Sequence, residues 1–215
     1  MKVSGIGASS GIVISKVFRL EDVTLDIPTH KCKDTKEELI KLKDAIKKAQ
    51  QTISVIKKNT LESLDEEHAM IFDAHIQIAN DPEIYAQVKQ QVESQNVNVV
   101  KAYSDITTMF ADLFASMDNA YMKERAADVK DVSRRVIANL LGITLNDPST
   151  INSEVIVCAN DLTPSDTAQL NKKYVKGFVT NIGGRTSHSA IMARTLEIPA
   201  VVGTNNILDS VEDGD

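Results

Sequence analysis

Cysteine is scarce: the 215 residues carry two, Cys32 and Cys158. They stand too far apart to form the closely spaced pairs of a metal cluster. Reduced thiols of a cytoplasmic protein are the simplest reading. Long apolar runs are missing as well. Nothing approaches the ~20 residues a membrane-spanning helix needs, and Met1-Lys2-Val3-Ser4-Gly5 leads into no signal-peptide core. Basic charge is in deficit, with 24 Lys and Arg against 30 Asp and Glu and a formal net charge of −6. No basic stripe is available to neutralise phosphates, which argues against nucleic acid; an acidic surface suits a basic protein partner instead. Membrane insertion, a metal site and nucleic-acid binding are therefore not expected, and a cytoplasmic location is.

Hydrophobic residues at 42% and charged residues at 25% are ordinary for a globular protein, and the length suffices for one large domain or two small ones. Glycine and proline almost vanish between Asp34 and Gly142, where each occurs once. Helical spacing takes their place. Asp34 with Glu37 has the form of a capping box. Behind it Leu39, Leu42, Ile46, Ala49, Ile53 and Ile56 recur at steps of three and four, marking one buried face opposite a face of lysines. A second helix is expected over 65–79, ending at Asn80-Asp81-Pro82, where Asp81 caps and Pro82 opens a third. Helices over 82–93, 97–117 and 120–141 complete five, with Val129, Val132, Val136, Ile137, Leu140 and Leu141 as the last stripe and Gly142 as its stop. Short connections predict an antiparallel bundle.

The flanks read differently. Val3 to Ala8 and Ile12 to Leu20 are expected as strands around a break at Ser9-Ser10-Gly11. The glycines there lack the Lys-Ser/Thr ending of a P-loop and the dinucleotide spacing. After 147–148, strand-like and helix-like runs alternate: Glu154 to Ala159, a capped helix opening at Thr163-Pro164-Ser165-Asp166, a strand near Gly177, and Ile198 to Gly203.

Between the last two strands lies Gly183-Gly184-Arg185-Thr186-Ser187-His188-Ser189-Ala190-Ile191-Met192-Ala193-Arg194. The glycines permit a tight turn, Thr186 or Ser187 can cap, and a short helix is expected over 189–196. His188 then sits at the helix start, beside unpaired N–H groups and the positive end of the dipole, a place that attracts phosphate. An imidazole there is a competent nucleophile, largely neutral at pH 7, and Arg185 or Arg194 could hold phosphoryl oxygens.

This twelve-residue segment resembles the phosphohistidine signature of enzymes that handle phosphoenolpyruvate: enzyme I of the bacterial sugar phosphotransferase system, pyruvate phosphate dikinase and phosphoenolpyruvate synthase. Asp161 to Leu170 and Lys123 to Val129 also resemble segments of enzyme I, as does the chain's opening, with Ser10 where proline is common in that family. The helical insertion favours enzyme I over the other two.

The resemblance implies an α/β phosphohistidine domain with an inserted all-α helical bundle, divided as 1–30, 31–145 and 146–215. It implies that His188 is phosphorylated, that Thr167 orients its ring and that Arg185 steadies the phosphoryl oxygens. The donor would be phosphoenolpyruvate, through a C-terminal barrel, and the acceptor the carrier protein HPr. The helical part would dock HPr through Glu66, Glu67, His75, Asp81, Glu83, Arg125 and Asp128. No cofactor is implied for these 215 residues and Mg²⁺ for the full-length enzyme; these residues are expected to be monomeric and to exchange phosphoryl only with HPr, the full-length enzyme to be a homodimer. The other readings are a docking module whose histidine is unused, or a dikinase or synthase relative.

Overall fold

A computed structural model of the chain describes residues 2–63, 66–146 and 148–215, with the side chains of Ser63, Glu67, His68, Ala120 and Glu124 outside that description. The chain forms two compact units, one from Met1–Val23 with Asn146–Asp215 and the other from Thr24–Leu145.

The second unit is helical: α1 Thr35–Ser63, α2 Glu66–Ala79, α3 Pro82–Gln95, α4 Val99–Ser116 and α5 Ala120–Leu141. Local chemistry sets most boundaries. Asp34 Oδ1 accepts from Lys36 N and Glu37 N, but the Glu37 carboxylate turns to Lys41 Nζ at 3.2 Å, so the expected capping box is half made. Asp81 accepts from Glu83 N and Ile84 N ahead of Pro82, and Asn96, in the left-handed region at φ 53°, ends α3. The fourth helix starts later than expected. Val97 pairs with Lys31 in an isolated β-bridge, and the cap falls to Asn98, whose Oδ1 accepts from Lys101 N. Asn98 Nδ2 also donates to Pro28 O and His30 O, tying down the segment that leads into α1.

Helix α5 packs against α4, α1 and α2, and α3 against α4. Leu42, Ala49, Ile53 and Ile56 of the α1 stripe are buried with Val88, Val92, Tyr103, Val129, Val132 and Val136. Leu39 and Ile46 lie half-buried at the stripe's margin. Truncating one of the large aliphatic side chains here would cost about 2–4 kcal/mol.

The first unit is α/β, with strands β1 Ile6–Ser9, β2 Lys16–Leu20, β3 Val155–Ala159, β4 Val175–Thr180 and β5 Ala200–Val202, and helices α6 Pro164–Ala168 and α7 His188–Thr195. The sheet order is β1-β5-β4-β3-β2, with β1 antiparallel to β5 and the rest parallel. β1 and β2 share one sheet, as expected, but occupy opposite edges, and both are shorter than the sequence suggests. The residues between them cross the sheet, and a crossing segment cannot hold ladder hydrogen bonds. The crossing is close: a Cβ on Gly177 would come within 2.9 Å of Val13 Cγ1, and one on Gly11 within 2.5 Å of Pro199 Cγ. Val157, Val175, Phe178 and Val202 are buried within this unit. The outer edge of β2 is covered by Val17 N donating to Asp215 O and Gly214 N to Val17 O, both at 2.9 Å. An α/β unit interrupted between β2 and β3 by a helical one is the expected fold class. No helix among the described residues is long and apolar enough to cross a membrane.

Candidate active site

In the α/β unit, β4 ends at Thr180 and the chain turns through Ile182 and Gly183 into the Gly184–Ser187 turn. Gly183 has φ +116°, and a Cβ there would meet Ser187 Oγ at 3.2 Å and Val202 Cβ at 3.3 Å. Across the turn, Gly203 at φ +68° lies so close that its Cβ would come within 2.9 Å of Gly183 O. These two positions need glycine for both torsion and space.

Ser187 is the hub of the turn. Its N and Oγ both donate to Gly184 O, at 3.0 and 2.9 Å, and Oγ accepts from Ala190 N at 3.3 Å. Its Oγ also lies 3.1 Å from Ser189 Oγ. That makes Ser187 the N-cap of α7 and His188 its first residue, one position earlier than the sequence reading. His188 is half-buried. The Arg185 side chain is exposed and makes no hydrogen bond or ion pair among the described residues. Arg194 Nη1 donates to Ala8 O and Arg185 O, both at 3.2 Å, clamping the loop to β1.

Helix α6 packs against α7. A complete capping box starts it, with Asp166 N donating to Thr163 Oγ1 and Thr163 N to Asp166 Oδ2. Thr167 follows, fully buried. Its hydroxyl points at Thr163 O and Pro164 O, at 3.1 and 3.0 Å, which leaves the oxygen's lone pairs to accept. Burial pushes the Asp161 carboxyl up, opposed by the Leu162 N–H and reinforced by Asp22. Burial also pushes the Cys158 thiol of β3 up to about 11, against the nearby Arg19.

The expected partner contacts lie in the helical unit. Glu66 and Glu83 are exposed, Glu83 accepting from Gln87 Nε2 at 2.7 Å. Asp81 spends Oδ1 on capping α3. The Glu67 side chain lies outside the described residues. Arg125 is half-buried, its Nη1 3.4 Å from Asp128 Oδ2. Two residues depart from the surface role expected of them. His75 is 0% exposed and Asp128 6%. His75 follows Ala69 and Phe72 and precedes Ala79 on the buried stripe of α2, which turns its ring onto α5. Of the two cap candidates in the sequence, Thr186 and Ser187, the structure uses Ser187; Asp131, the second carboxylate near His75, carries no local signal in the sequence.

A family model described as PEP-utilising enzyme, N-terminal, matches residues 4–125, and one for the mobile domain of PEP-utilising enzymes matches 151–215. The phosphoenolpyruvate-protein phosphotransferase of Priestia megaterium is 47% identical over 213 residues, and that of Lactococcus lactis subsp. lactis 52%. Each match covers 99% of this chain but 37% of the relative, so the chain spans little more than a third of those proteins. An NMR solution structure of an Enzyme I protein superposes with a TM-score of 0.88 at 41% identity, covering 100% of this chain and 87% of that one. The N-terminal domain of Enzyme 1 - Nitrogen shares the fold, with a TM-score of 0.63 at 24% identity over 94% of this chain and 83% of that one. The capped loop at His188 and the helical unit that contains α2 and α5 are therefore those of a chain that belongs to the PEP-utilising enzymes.

Proposed function

We propose that this chain carries a phosphoryl group on His188, receiving it in the full-length enzyme from phosphoenolpyruvate and exchanging it with the carrier protein HPr. The observation that carries the proposal is the position of His188 at the first residue of α7, directly after a turn fixed by Ser187, Gly183 and Gly203. A ring nitrogen there attacks phosphorus in line with the leaving group. With phospho-HPr as donor, one N–P bond forms on His188 as the N–P bond of the carrier breaks, and the donor ring regains its lone pair. The step is reversible, and the protein supplies position and charge stabilisation. Arg185, exposed and uncommitted on the same turn, would meet phosphoryl oxygens. The acceptor lone pairs of buried Thr167 can take an N–H of the imidazole and turn the other nitrogen outward.

On this reading the helical unit docks the carrier, with Glu66, Asp81 and Glu83 as the acidic surface for a basic partner. Mg²⁺ belongs to the full-length enzyme. Among the described residues no group of three or more His, Cys, Asp or Glu side chains could hold an ion, and no step here is routed through one.

The test is transfer from ³²P-labelled phospho-HPr to this chain, with His188→Ala alongside. Acid-labile, base-stable label on the unaltered chain and none on the variant is the expected result. Equal labelling of both would move the phosphoryl group to another residue. HPr binding without label on either would reduce the chain to a docking module.

A further inference from the structure

His75 is absent from the transfer chemistry and hidden from any partner, yet a buried imidazole beside two carboxylates demands a physical reason. Its Nε2 lies 3.2 Å from Asp128 Oδ1. Its Nδ1 is buried without a hydrogen-bond partner, 3.8 Å from Asp131 Oδ2, and Asp131 Oδ1 is 4.0 Å from Arg135 Nη2. Phe72 packs edge-on against the ring, with centroids 5.5 Å apart. The ring is therefore held, and one of its nitrogens is committed to Asp128.

Asp128 passes that constraint outward. Its other oxygen meets Arg125 Nη1 at 3.4 Å. The Arg125 guanidinium reaches Tyr121 OH through Nε at 3.1 Å and also through Nη2, and lies 4.9 Å from the Tyr121 ring centroid. Side-chain exposure rises along this line, from 1% at His75 to 9% at Asp128 and 28% at Arg125. It ends at Tyr121, an exposed residue. An interior group is connected to a surface cation in two links.

We propose that His75 is a positioning residue for docking: through Asp128 it fixes the Arg125–Tyr121 pair as a preset cation that reads an acceptor oxygen of the carrier protein. The proposal rests on the docking role given to the helical unit above. The logic is one of divided lone pairs. With Nε2 occupying Oδ1, only Oδ2 remains for Arg125, and the guanidinium keeps N–H groups for a partner. Without the imidazole, the carboxylate is left with a buried oxygen lacking a donor, and it turns both oxygens to Arg125. Arg125 then withdraws from the surface, or loses its fixed orientation and must regain it at the moment of binding. One cation within an acidic surface also discriminates: a carrier offering only basic groups opposite Arg125 is repelled there.

The test is a calorimetric titration of HPr into the unaltered chain and into His75→Leu, His75→Gln, Arg125→Ala and the Leu/Ala double variant. Gln keeps an amide N–H where Nε2 stands. Arg125→Ala is expected to weaken binding about tenfold. His75→Leu is expected to weaken it several-fold and to add nothing in the Arg125→Ala background, while His75→Gln restores near-unaltered affinity. Additive losses in the double variant, or a Gln variant as weak as the Leu one, would overturn the relay and leave docking intact. Unchanged binding by Arg125→Ala would overturn the relay and with it the docking role of Arg125. If His75→Leu fails to fold, Asp128→Asn carries the same test. Its amide keeps an oxygen for Nε2 but turns NH₂ toward Arg125, so its loss should match that of Arg125→Ala and not add to it; additivity there counts equally against the relay.

Discussion

Replacing Ser187 by alanine removes one oxygen atom and with it the hydroxyl's hydrogen bonds to Gly184 O, Ala190 N and Ser189 Oγ at the candidate site. The hydroxyl donates to Gly184 O at 2.9 Å and accepts from Ala190 N at 3.3 Å. Loss of a serine N-cap costs about 1 kcal/mol, and the long bond to Ala190 places this case toward the lower end of the usual range. The bond to Gly184 O adds roughly 0.5–1 kcal/mol. A destabilisation of about 1.5 kcal/mol is expected, with Ser187→Thr nearly neutral because it retains the hydroxyl. Urea denaturation gives the global number. Amide exchange at Ala190 and Ile191, whose N–H groups bond Ser187 Oγ and Ser187 O, reports whether the loss is local to the first turn of α7. Transfer of label to His188 should slow by up to about tenfold, the rate equivalent of that free energy. An alanine variant with unchanged stability and unchanged protection at Ala190 would refute the view that this hydroxyl holds the histidine turn.

Other expectations follow from the same geometry. Gly203→Ala forces a Cβ to 2.9 Å from Gly183 O at φ +68°; a loss of about 2–3 kcal/mol in thermal denaturation is expected, and an unchanged Tm would contradict it. Asn98→Ala deletes the cap at Lys101 N and the bonds to Pro28 O and His30 O from a residue 3% exposed. It should cost about 2–4 kcal/mol in urea, and a loss under half of that would show the 24–34 segment to be held by other contacts. Cys158, with an ordinary value of 9.0, is raised to about 11 by burial. The folded chain therefore keeps a proton that the unfolded chain loses between about 9 and 11, so stability falls as pH rises through that window. Cys158→Ala should lessen this slope, the remainder above pH 10.0 coming from Tyr103, whose hydroxyl burial also pushes up; identical pH profiles for the two proteins would dispose of the argument.

What the sequence discloses depends on how far apart the deciding residues lie. The caps at Asp34, Asp81 and Thr163 and the stop at Gly142 were readable because each is settled within four residues. The turn ahead of His188 was readable for the same reason, to within one residue. The strands near the N-terminus were not. Their lengths are set by β5 and β3, and nothing local in Val3-Ser4-Gly5 or Ile12-Val13-Ile14 says that these residues stay unpaired. Residue 75 shows the limit most clearly. A histidine on an otherwise apolar-flanked helix reads equally well as surface or interior, and the carboxylate that decides the matter is 53 residues away.

The place of the helical unit in the sheet order has a kinetic consequence. β2 and β3 are adjacent parallel strands, yet Ser15 and Glu154, which meet beside them, are 139 residues apart in the chain. Closing so long an open loop is slow and entropically costly. The helical unit, built on nearer-neighbour packing, can form first, and Asn146 Nδ2 bonding Glu21 O brings the two chain crossings together. A closed insert makes the effective loop about ten times shorter, worth roughly 2 kcal/mol to strand pairing. Pulsed hydrogen exchange during refolding should accordingly protect α4 and α5 before β2 and β3. Protection in that order would make the insertion a clasp: a unit that, by folding early, delivers to the sheet two strands that would otherwise meet only by a long search.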